Sequence, residues 1–382
     1  MFAENQGIKK LLKDTITKNG PISFKDFMEI CLYEPTYGYY SQKELPIGKH
    51  GDFVTAPHTS RLFGYLLAVQ IRQFFQMLPD THELLLCEFG AGTGFLAKDI
   101  LEFYKDFHCK IYERIKYLIV EPLPARRDIL SKGLQDHKDK LEIVDDFSKV
   151  APFTGVVVAN ELLDAFPVHL IEKGDSGFLE IFIDLDHEGN LVEKAKDIRN
   201  KELKRYVETY LKDLSPGYRT EVNLEMRHWI KDFSSFFKKG FAIFIDYGYP
   251  REEYYAPYRN RGTLLGYTGQ QVTESFLDFP GLIDITAHVN FSDARDWFEK
   301  NGFNIEGFCP QWAFLGGLDI EDTINKAFGR LEPFSPVLAT VKSLIFPQGM
   351  GETHKVFVVS KAVEKTEEIK GFKMKNDLER LT

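Results

Sequence analysis

The stretch from Leu84 to Gly94 constrains the fold most, because it joins a buried strand to a turn built from glycines. It reads LLLCEFGAGTG, an apolar run and one acid followed by glycine at alternate positions. Such a run, with helical apolar spacing after it, is typical of a parallel strand that feeds a helix. Glycines let the backbone turn sharply and approach a ligand closely. Glu88, at the tip of the strand, is placed to meet a positive or hydroxyl-bearing group.

The spacing of Gly90, Gly92 and Gly94 distinguishes this loop from two other nucleotide sites. A phosphate-binding P-loop needs Lys and then Ser or Thr after its last glycine, whereas Phe95 and Leu96 follow here. A dinucleotide fingerprint needs glycine at its sixth position, which is also Phe95. The pattern resembles the first motif of class I S-adenosylmethionine-dependent methyltransferases. That resemblance implies a loop lying against the methionine portion of the cofactor; an ordinary strand-to-helix turn is the alternative.

Two further predicted strands end in acids. Glu121 follows an apolar run and precedes Pro122, which stops the strand. An acid about 20 to 30 residues past a glycine loop can accept both ribose hydroxyls in a bidentate hydrogen bond. The alternative is that Glu121 caps the next helix. Asp145 and Asp146 end a third strand, where they would lie near the adenine amino group or form a turn. We therefore count Glu121, Pro122, Asp145 and Asp146 as candidate cofactor-binding residues.

The fourth predicted strand, 155–159, precedes the acids that we expect at the reaction centre. Asn160 and Glu161 come directly after it, and Asp164 follows one helical turn later. Open α/β folds bind their ligands at this carboxyl edge, so Asn160 is a further candidate cofactor residue. The alternative is that Asn160 caps a helix whose first turn contains Glu161 and Asp164.

Longer blocks resemble the MidA-like family, which includes the mitochondrial complex I assembly arginine methyltransferases and bacterial relatives. The resemblance implies an α/β class I methyltransferase fold, Rossmann-like, with a mostly parallel seven-stranded sheet. It also implies S-adenosylmethionine as cofactor and, in some members, an arginine guanidinium as methyl acceptor. The matching blocks are Pro21–Phe24 through Tyr37–Tyr40, Gly51–Pro57, Asn160–Val168, Asp246–Gly248, Gly262–Leu264 and Asp284–Phe291.

A guanidinium acceptor requires groups that hold a cation and remove a proton, because arginine is protonated at neutral pH. Glu161 and Asp164 are the nearest acids to the expected position of methyl transfer. His288 is a candidate relay base, since its reference pKa lies near working pH. The alternative for His288 is a loop histidine hydrogen-bonded to backbone. A small-molecule methyltransferase and a non-catalytic cofactor-binding assembly protein are the two other functions that we keep open.

The block around Gly51, Asp52, Phe53 and Thr55 has no place in a minimal methyltransferase sheet. Its glycine and the tyrosines before it suggest a flap over the cofactor. Phe53 would cover the cofactor, and Asp52 or Thr55 would hydrogen-bond it. A plain turn with a core phenylalanine is the alternative.

The sequence divides into four predicted parts. Residues 1–80 are a helical region with the flap, and 81–165 with 239–363 form the methyltransferase core. Residues 166–238 are an inserted hairpin, which turns around 174–177, with helices on the substrate side. Within the later part of the core a loop is predicted over 247–290, and 364–382 are a charged, frayed tail.

Composition limits the classes of molecule that this protein is expected to bind. The net charge of −9 argues against nonspecific nucleic-acid binding and is compatible with a cationic site on a protein substrate. Four scattered cysteines predict reduced thiols and no metal site, and no apolar run is long enough to span a membrane. We expect a bacterial cytoplasmic protein, or a mitochondrial matrix protein if the chain is a processed eukaryotic one. The oligomeric state stays open.

Overall fold

A computed structural model describes residues 5–42, 57, 60–268, 271–330, 335, 337–346 and 351–382. The flap residues Gly51, Asp52, Phe53 and Thr55 therefore lie outside the described residues. Contacts divide the chain into two compact units. The sheet unit contains Val54–Leu162, Ile230–Gly248 and Phe291–Thr382, and the insert unit contains the residues up to Phe53, Leu163–Trp229 and Tyr249–Asn290. The four-part division of the sequence stays a prediction.

Strands and helices alternate along most of the chain. The strands are β1 (Ile22–Ser23), β2 (Leu84–Phe89), β3 (Ile115–Val120), β4 (Leu141–Val144), β5 (Phe153–Asn160), β6 (His169–Lys173), β7 (Phe178–Leu185), β8 (Leu191–Asp197), β9 (Arg219–Val222), β10 (Phe237–Tyr249), β11 (Leu265–Thr268), β12 (Gln271–Thr273), β13 (Asp284–Thr286), β14 (Val289–Asn290), β15 (Asn304–Pro310) and β16 (His354–Lys361). The helices are α1 (Gln6–Asn19), α2 (Phe24–Tyr33), α3 (Arg61–Met77), α4 (Phe95–Phe107), α5 (Cys109–Arg114), α6 (Pro124–Gly133), α7 (Lys201–Tyr210), α8 (Leu224–Phe236), α9 (Arg251–Tyr254), α10 (Phe291–Lys300), α11 (Gln311–Gly316), α12 (Ile320–Phe328) and α13 (Val337–Ile345).

The sheet unit is built on a mixed sheet of eight strands, seven of them in the continuous order β15-β16-β10-β5-β2-β3-β4. Strands β10, β5, β2, β3 and β4 run parallel, and β16 is antiparallel to both of its neighbours. The α/β class is thus confirmed, but the predicted count of seven strands is wrong. The additional strand lies outside the continuous path and is too short to leave a hydrophobic pattern in the sequence.

The parallel register brings the predicted strand ends to one edge of this sheet. Phe89 pairs with Val120 and with Ala159, and Ile245 pairs with Asn160. The strands are near-continuous apolar runs because helices α3 and α4 pack in the same hydrophobic core. The loops that follow β2, β3, β5 and β10 therefore emerge side by side.

The insert unit contains two antiparallel sheets. One joins β1, β7, β6 and β9 in that order, with β8 beside β7, and the other is β12-β11-β13. The hairpin predicted around 174–177 is confirmed as β6 and β7. Strand β8 was not predicted, because its sequence, LVEKAKD, is highly charged and partly exposed and so lacks the apolar alternation of a strand. The prediction of a loop over 247–290 is wrong, since this region holds α9 and a whole sheet.

The carboxyl-terminal residues are not frayed, contrary to the prediction for 364–382. Ile369, Phe372 and Leu381 are all buried in the sheet unit. The side-chain oxygens of Gln70 and Gln73 accept hydrogen bonds from backbone N–H groups of this segment. Three well-spaced apolar side chains thus anchor a charged segment, which composition alone hides. Among the described helices, none has the length and apolar character needed to cross a membrane.

Candidate functional site

The glycine loop after β2 has a backbone that other residues rarely adopt. Gly90, Gly92 and Gly94 have φ angles of 68°, 56° and 84°. A Cβ added at Gly92 would have no described atom within 4 Å, so this part of the loop faces open space. Gly94 then begins α4 without any side-chain cap. The loop therefore leaves room beside the Gly92 backbone for a ligand.

Glu88 is a buried carboxylate beside this loop. It is 2% exposed, and the Tyr117 hydroxyl donates a hydrogen bond of 2.7 Å to its Oε2. Burial raises the pKa of Glu88 to about 7, while the tyrosine hydrogen bond lowers it. A carboxyl group that titrates near neutral pH at a strand end is typical of a functional site.

Glu121 ends β3 and is also buried. Its Oε1 accepts a hydrogen bond of 3.0 Å from the backbone N–H of Leu123, the residue that precedes α6. Within the described part of the chain, Oε2 has no hydrogen-bond partner, and burial raises the pKa of this carboxyl. The capping alternative therefore accounts for one oxygen of Glu121 and leaves the other for a ligand.

The remaining candidates at this edge differ in their surroundings. Pro122 is exposed, and its carbonyl accepts a hydrogen bond from Arg127. Asp145 forms an ion pair of 2.6 Å with Lys149, whose hydrogen bond lowers the aspartate pKa. Asp146 accepts a 2.8 Å hydrogen bond from the Ser148 backbone and so closes a local turn. Asp145 and Asp146 thus have partners of their own in a surface turn.

Glu161 follows β5 in a conformation that is uncommon for a glutamate. Its φ angle is 52°, and its N–H donates to the carbonyl of Ile245 on β10. Residues 161–164 form bends and turns, so the alternative in which Asn160 caps a helix is wrong. The left-handed backbone of Glu161 turns the chain away from a helix. Strained backbone of this kind persists where the surrounding structure holds it, often at functional sites.

Three side chains surround the Glu161 carboxylate. The Asn160 amide donates a 3.1 Å hydrogen bond to Oε1, and the Tyr247 hydroxyl donates one of 2.8 Å to Oε2. His354 Nε2 lies 3.7 Å from Oε1, and the Glu161 and His354 side chains are 8% and 4% exposed. We call these four residues the Glu161 cluster.

Sequence reasoning missed Tyr247 and His354. Tyr247 belongs to a block that we used for the resemblance, yet it received no role. His354 stands at the start of the last strand and is brought opposite Tyr247 by the antiparallel register of β10 and β16. Their ring centroids are 4.3 Å apart. No local pattern marks such a pair, because the pairing of distant strands creates it.

The insert unit holds the two other candidate catalytic residues. Asp164 is 3% exposed, and its backbone carbonyl accepts a hydrogen bond from Ala287. The His288 N–H donates to Thr263 Oγ1, and its ring Nδ1 lies 3.3 Å from the Thr263 carbonyl oxygen. Since a carbonyl can only accept, Nδ1 is the protonated nitrogen in this contact. The ring of His288 also stacks on that of Tyr249.

A buried acid, which the sequence analysis missed, orders the loop that holds His288. Glu221 accepts hydrogen bonds from the backbone N–H groups of Thr263 and Leu264 and from the hydroxyls of Thr263 and Tyr254. Gly262 has a φ of 81°, and a Cβ there would collide with Glu221 Oε1. The glycine of this block is thus required by both conformation and close approach.

The sheet edge suits an organic cofactor that carries a ribose and a small charged end. The open space beside Gly92 and the available Oε2 of Glu121 fit such a group. Among the described residues, no three His, Cys, Asp or Glu side chains meet as they would around a metal ion.

Comparisons with known proteins agree with this geometry. Residues 66–309 match the family model described as S-adenosyl-L-methionine-dependent methyltransferases. A superfamily member from Burkholderia thailandensis, solved with bound S-adenosyl-homocysteine, is 30% identical. Its TM-score is 0.87, and the match covers 97% of this chain and 96% of that one.

Two curated relatives are similar along most of their length. Protein arginine methyltransferase NDUFAF7, mitochondrial, from Danio rerio is 25% identical over 93% of this chain and 87% of its own. The NDUFAF7 homolog from Caenorhabditis elegans is 28% identical over 84% of this chain and 78% of its own.

We expect the glycine loop and Glu121 to determine affinity for S-adenosyl-homocysteine. Gly92→Val should abolish binding, because its side chain fills the open space and its backbone disfavours the required φ. Glu121→Ala should weaken binding by about 1.5–3 kcal/mol, the scale of a hydrogen bond to a charged group. Titration calorimetry measures both effects. Gly217→Val is the matched control, since Gly217 also has a positive φ and open surroundings, but in the insert unit. Parent affinity in Gly92→Val would contradict this role.

We expect Glu88 to make the cofactor-free protein less stable as pH rises. The folded-state pKa of about 7 lies above the ordinary 4.5, so the folded state binds a proton that the unfolded state has already released. Stability is therefore lost between about pH 4.5 and 7, by on the order of 3 kcal/mol. Urea unfolding across this range should show the loss in the parent relative to Glu88→Gln, which still accepts from Tyr117. Asp99 titrates near the same pH, so the difference between the two proteins is the informative quantity. Parallel pH curves would exclude the effect.

Proposed function

Because the chain belongs to the family of S-adenosylmethionine-dependent methyltransferases, we propose that it methylates arginine on a protein substrate. When bound, S-adenosylmethionine supplies a methyl group on a positively charged sulfur, which makes that carbon electrophilic. The names of the curated relatives support arginine as the acceptor. The chemistry of the Glu161 cluster supports it independently.

Different residues at the carboxyl edge of the sheet would hold different parts of the cofactor. We assign the methionine portion to the loop of Gly90, Gly92 and Gly94, with Glu88 beside it. Oε2 of Glu121 accepts from the ribose hydroxyls, a role that suits an unshared carboxylate oxygen. Asn160, Pro122, Asp145 and Asp146 complete the proposed contacts with adenosine.

The observation that carries the proposal is the fixed, buried carboxylate of Glu161. A guanidinium binds best to a carboxylate whose geometry is set in advance and which is shielded from water. Asn160 and Tyr247 set that geometry by donating to different oxygens. Because the Glu161 side chain is 8% exposed, solvent and salt only weakly screen its attraction to a cation.

Asp164 and His288 enter the proposal as a second acid and a base. Thr263 holds His288 with Nδ1 protonated, which makes Nε2 the basic nitrogen. The burial of Asp164 is likewise compatible with a positioned carboxylate. These two assignments rest on the sequence and on the local geometry of the insert unit.

The methyl acceptor is tested by labelling. A cell lysate is incubated with S-adenosylmethionine that carries an isotopic methyl group, with and without the enzyme. We expect label in protein, released as methylarginine after hydrolysis and identified by mass spectrometry. Label in the small-molecule fraction would favour a small-molecule methyltransferase. No enzyme-dependent label would favour a cofactor-binding assembly protein.

Neutral isosteres of the proposed acids should lower turnover far more than cofactor affinity. Glu161→Gln keeps a side chain of the same size but loses the charge that holds a cation. We expect kcat to fall by about 10²-fold or more, because the lost interaction strengthens in the transition state. Asp164→Asn should have an effect in the same direction.

Methyl-transfer kinetics and calorimetry with S-adenosyl-homocysteine measure the two quantities separately. Glu306→Gln is the matched control for Glu161, since its 9% exposed carboxylate lies in the same unit and accepts from Ser360. Variants that fold and methylate at the parent rate would rule out the assignment of either acid.

A further inference from the structure

Methylation of a guanidinium releases one proton per turnover, and the Glu161 cluster contains a route for it. The guanidinium carries one positive charge before the reaction and one after it, although it gains a methyl group from a cationic donor. One N–H proton must therefore leave the acceptor in each turnover. The proposed function places the Glu161 carboxylate against the guanidinium, where it can receive that proton, and Glu161 must then lose the proton before the next turnover.

Glu161 is poorly placed to lose a proton directly to water. Its side chain is 8% exposed, and one oxygen is occupied by Tyr247 and the other by Asn160. Both of these groups donate, and a phenol or an amide is a poor proton acceptor at neutral pH. A third group is needed to return Glu161 to the carboxylate state.

His354 is the basic group beside Glu161. Its Nε2 lies 3.7 Å from Oε1, which a small side-chain rotation converts into hydrogen-bond distance. Its ring is packed 4.3 Å from that of Tyr247, and the Thr353 hydroxyl lies 3.2 Å from Nδ1. The imidazole is therefore held from both sides with one nitrogen directed at the carboxylate.

We propose that His354 accepts the substrate proton from Glu161, with Tyr247 holding the carboxylate at the angle that this transfer needs. The proton moves from the guanidinium nitrogen to a Glu161 oxygen and then to His354 Nε2. The opposite ring nitrogen, Nδ1, then releases a proton to solvent through the exposed Thr353 hydroxyl, which lies 3.2 Å away. No oxidant or further reactant is required. The inference rests on the proposed function, since it assumes an acceptor that gives up a proton to Glu161.

The other ionisable groups around His354 are compatible with this role. Glu161 faces it from the end of β5 and Tyr247 from β10. Asp246 on β10 is paired with Lys355 on β16, next to the pair that Tyr247 forms with His354. Lys355 is occupied at 3.7 Å by Glu352. The Glu161 carboxylate closely approaches the imidazole ring, so it is the group with which His354 exchanges a proton in this proposal.

The first test measures kcat against pH for methylation of the labelled protein fraction. We expect His354→Gln to lower kcat by about 10²-fold, the scale of acid–base catalysis, and to reduce the dependence of kcat on pH. Tyr247→Phe should lower kcat but leave the shape of the pH dependence unchanged, because the phenol positions Glu161 and accepts no proton. Affinity for S-adenosyl-homocysteine should be unchanged in both variants, which also verifies folding.

A buried histidine elsewhere in the sheet unit provides the matched control. His137 is 3% exposed and hydrogen-bonded to Tyr112, so His137→Gln should leave kcat and its pH dependence unchanged. His354→Gln with the parent rate and the parent pH profile would overturn the proposal.

The second test needs no methyl acceptor, so it separates this inference from the proposed function. The ring nitrogen signals of His354 are recorded by NMR at one pH in the parent, in Glu161→Gln and in Glu306→Gln. Transfer of a proton between Glu161 and Nε2 requires direct contact between them, so Glu161→Gln should shift the Nε2 signal more than the Nδ1 signal, while Glu306→Gln should leave both unchanged. Ring signals that are identical in the parent and in Glu161→Gln would overturn the relay even if arginine methylation is observed. A shift centred on Nε2 would support it even if the acceptor proves to be another cation.

Discussion

The parallel ladder around β2 is the constraint on which the candidate site depends. Phe89 is hydrogen-bonded in register with β3 on one side and with β5 on the other. Parallel strands end at the same edge, so the residues that follow each strand become neighbours although they are far apart in sequence. A shift of this ladder by one residue would exchange buried and ligand-facing positions along the whole strand. The apolar side chains of β2, β3 and β5 therefore fix the geometry of polar groups that they never touch.

Much of this edge was predictable because its signals are local. Gly90 to Gly94 and the acids Glu88 and Glu121 follow short apolar runs, and buried parallel strands have that composition. The interior of the Glu161 cluster was not predictable in the same way. Tyr247 and His354 meet through the pairing of β10 with β16, and the left-handed turn at Glu161 has no residue signature. The alternative of a helix capped by Asn160 is wrong for that reason, since capping residues and acids also suit a strained turn.

The insert unit shows a different limit of sequence reasoning. The hairpin of β6 and β7 alternates clearly, whereas β8 is partly exposed and highly charged, and therefore resembles a loop. Glu221 looked like an ordinary acid, but it is fully enclosed and accepts from two backbone N–H groups. The sequence does not reveal buried acids of this kind, because their hydrogen-bond partners are backbone N–H groups, which nearly every residue has. The structure of the loop and the strand is needed to identify them.

Four of the buried glutamates, Glu88, Glu121, Glu161 and Glu221, differ in how many hydrogen-bond donors support their charge. Glu88 has one phenol donor and Glu121 one backbone donor, whereas Glu161 has two side-chain donors and Glu221 has several backbone and hydroxyl donors. Hydrogen-bond donors stabilise the ionised form against the cost of burial. Sparse support at Glu88 and Glu121 leaves these carboxyls sensitive to what binds beside them, while dense support at Glu221 suits a constant structural role.

The left-handed backbone of Glu161 has a consequence for how variants of this protein behave in a cell. An L-residue in this conformation costs on the order of 1 kcal/mol relative to glycine, which adopts it freely. A glycine at position 161 would relieve this strain, which offsets part of the cost of leaving the Asn160 amide and the Tyr247 hydroxyl without their acceptor. This variant would therefore lose the carboxylate at a smaller cost in stability than other substitutions at the position, and its abundance in a cell would fall less than its activity. Protein level in a cell is therefore a poor guide to which residues at this edge perform chemistry.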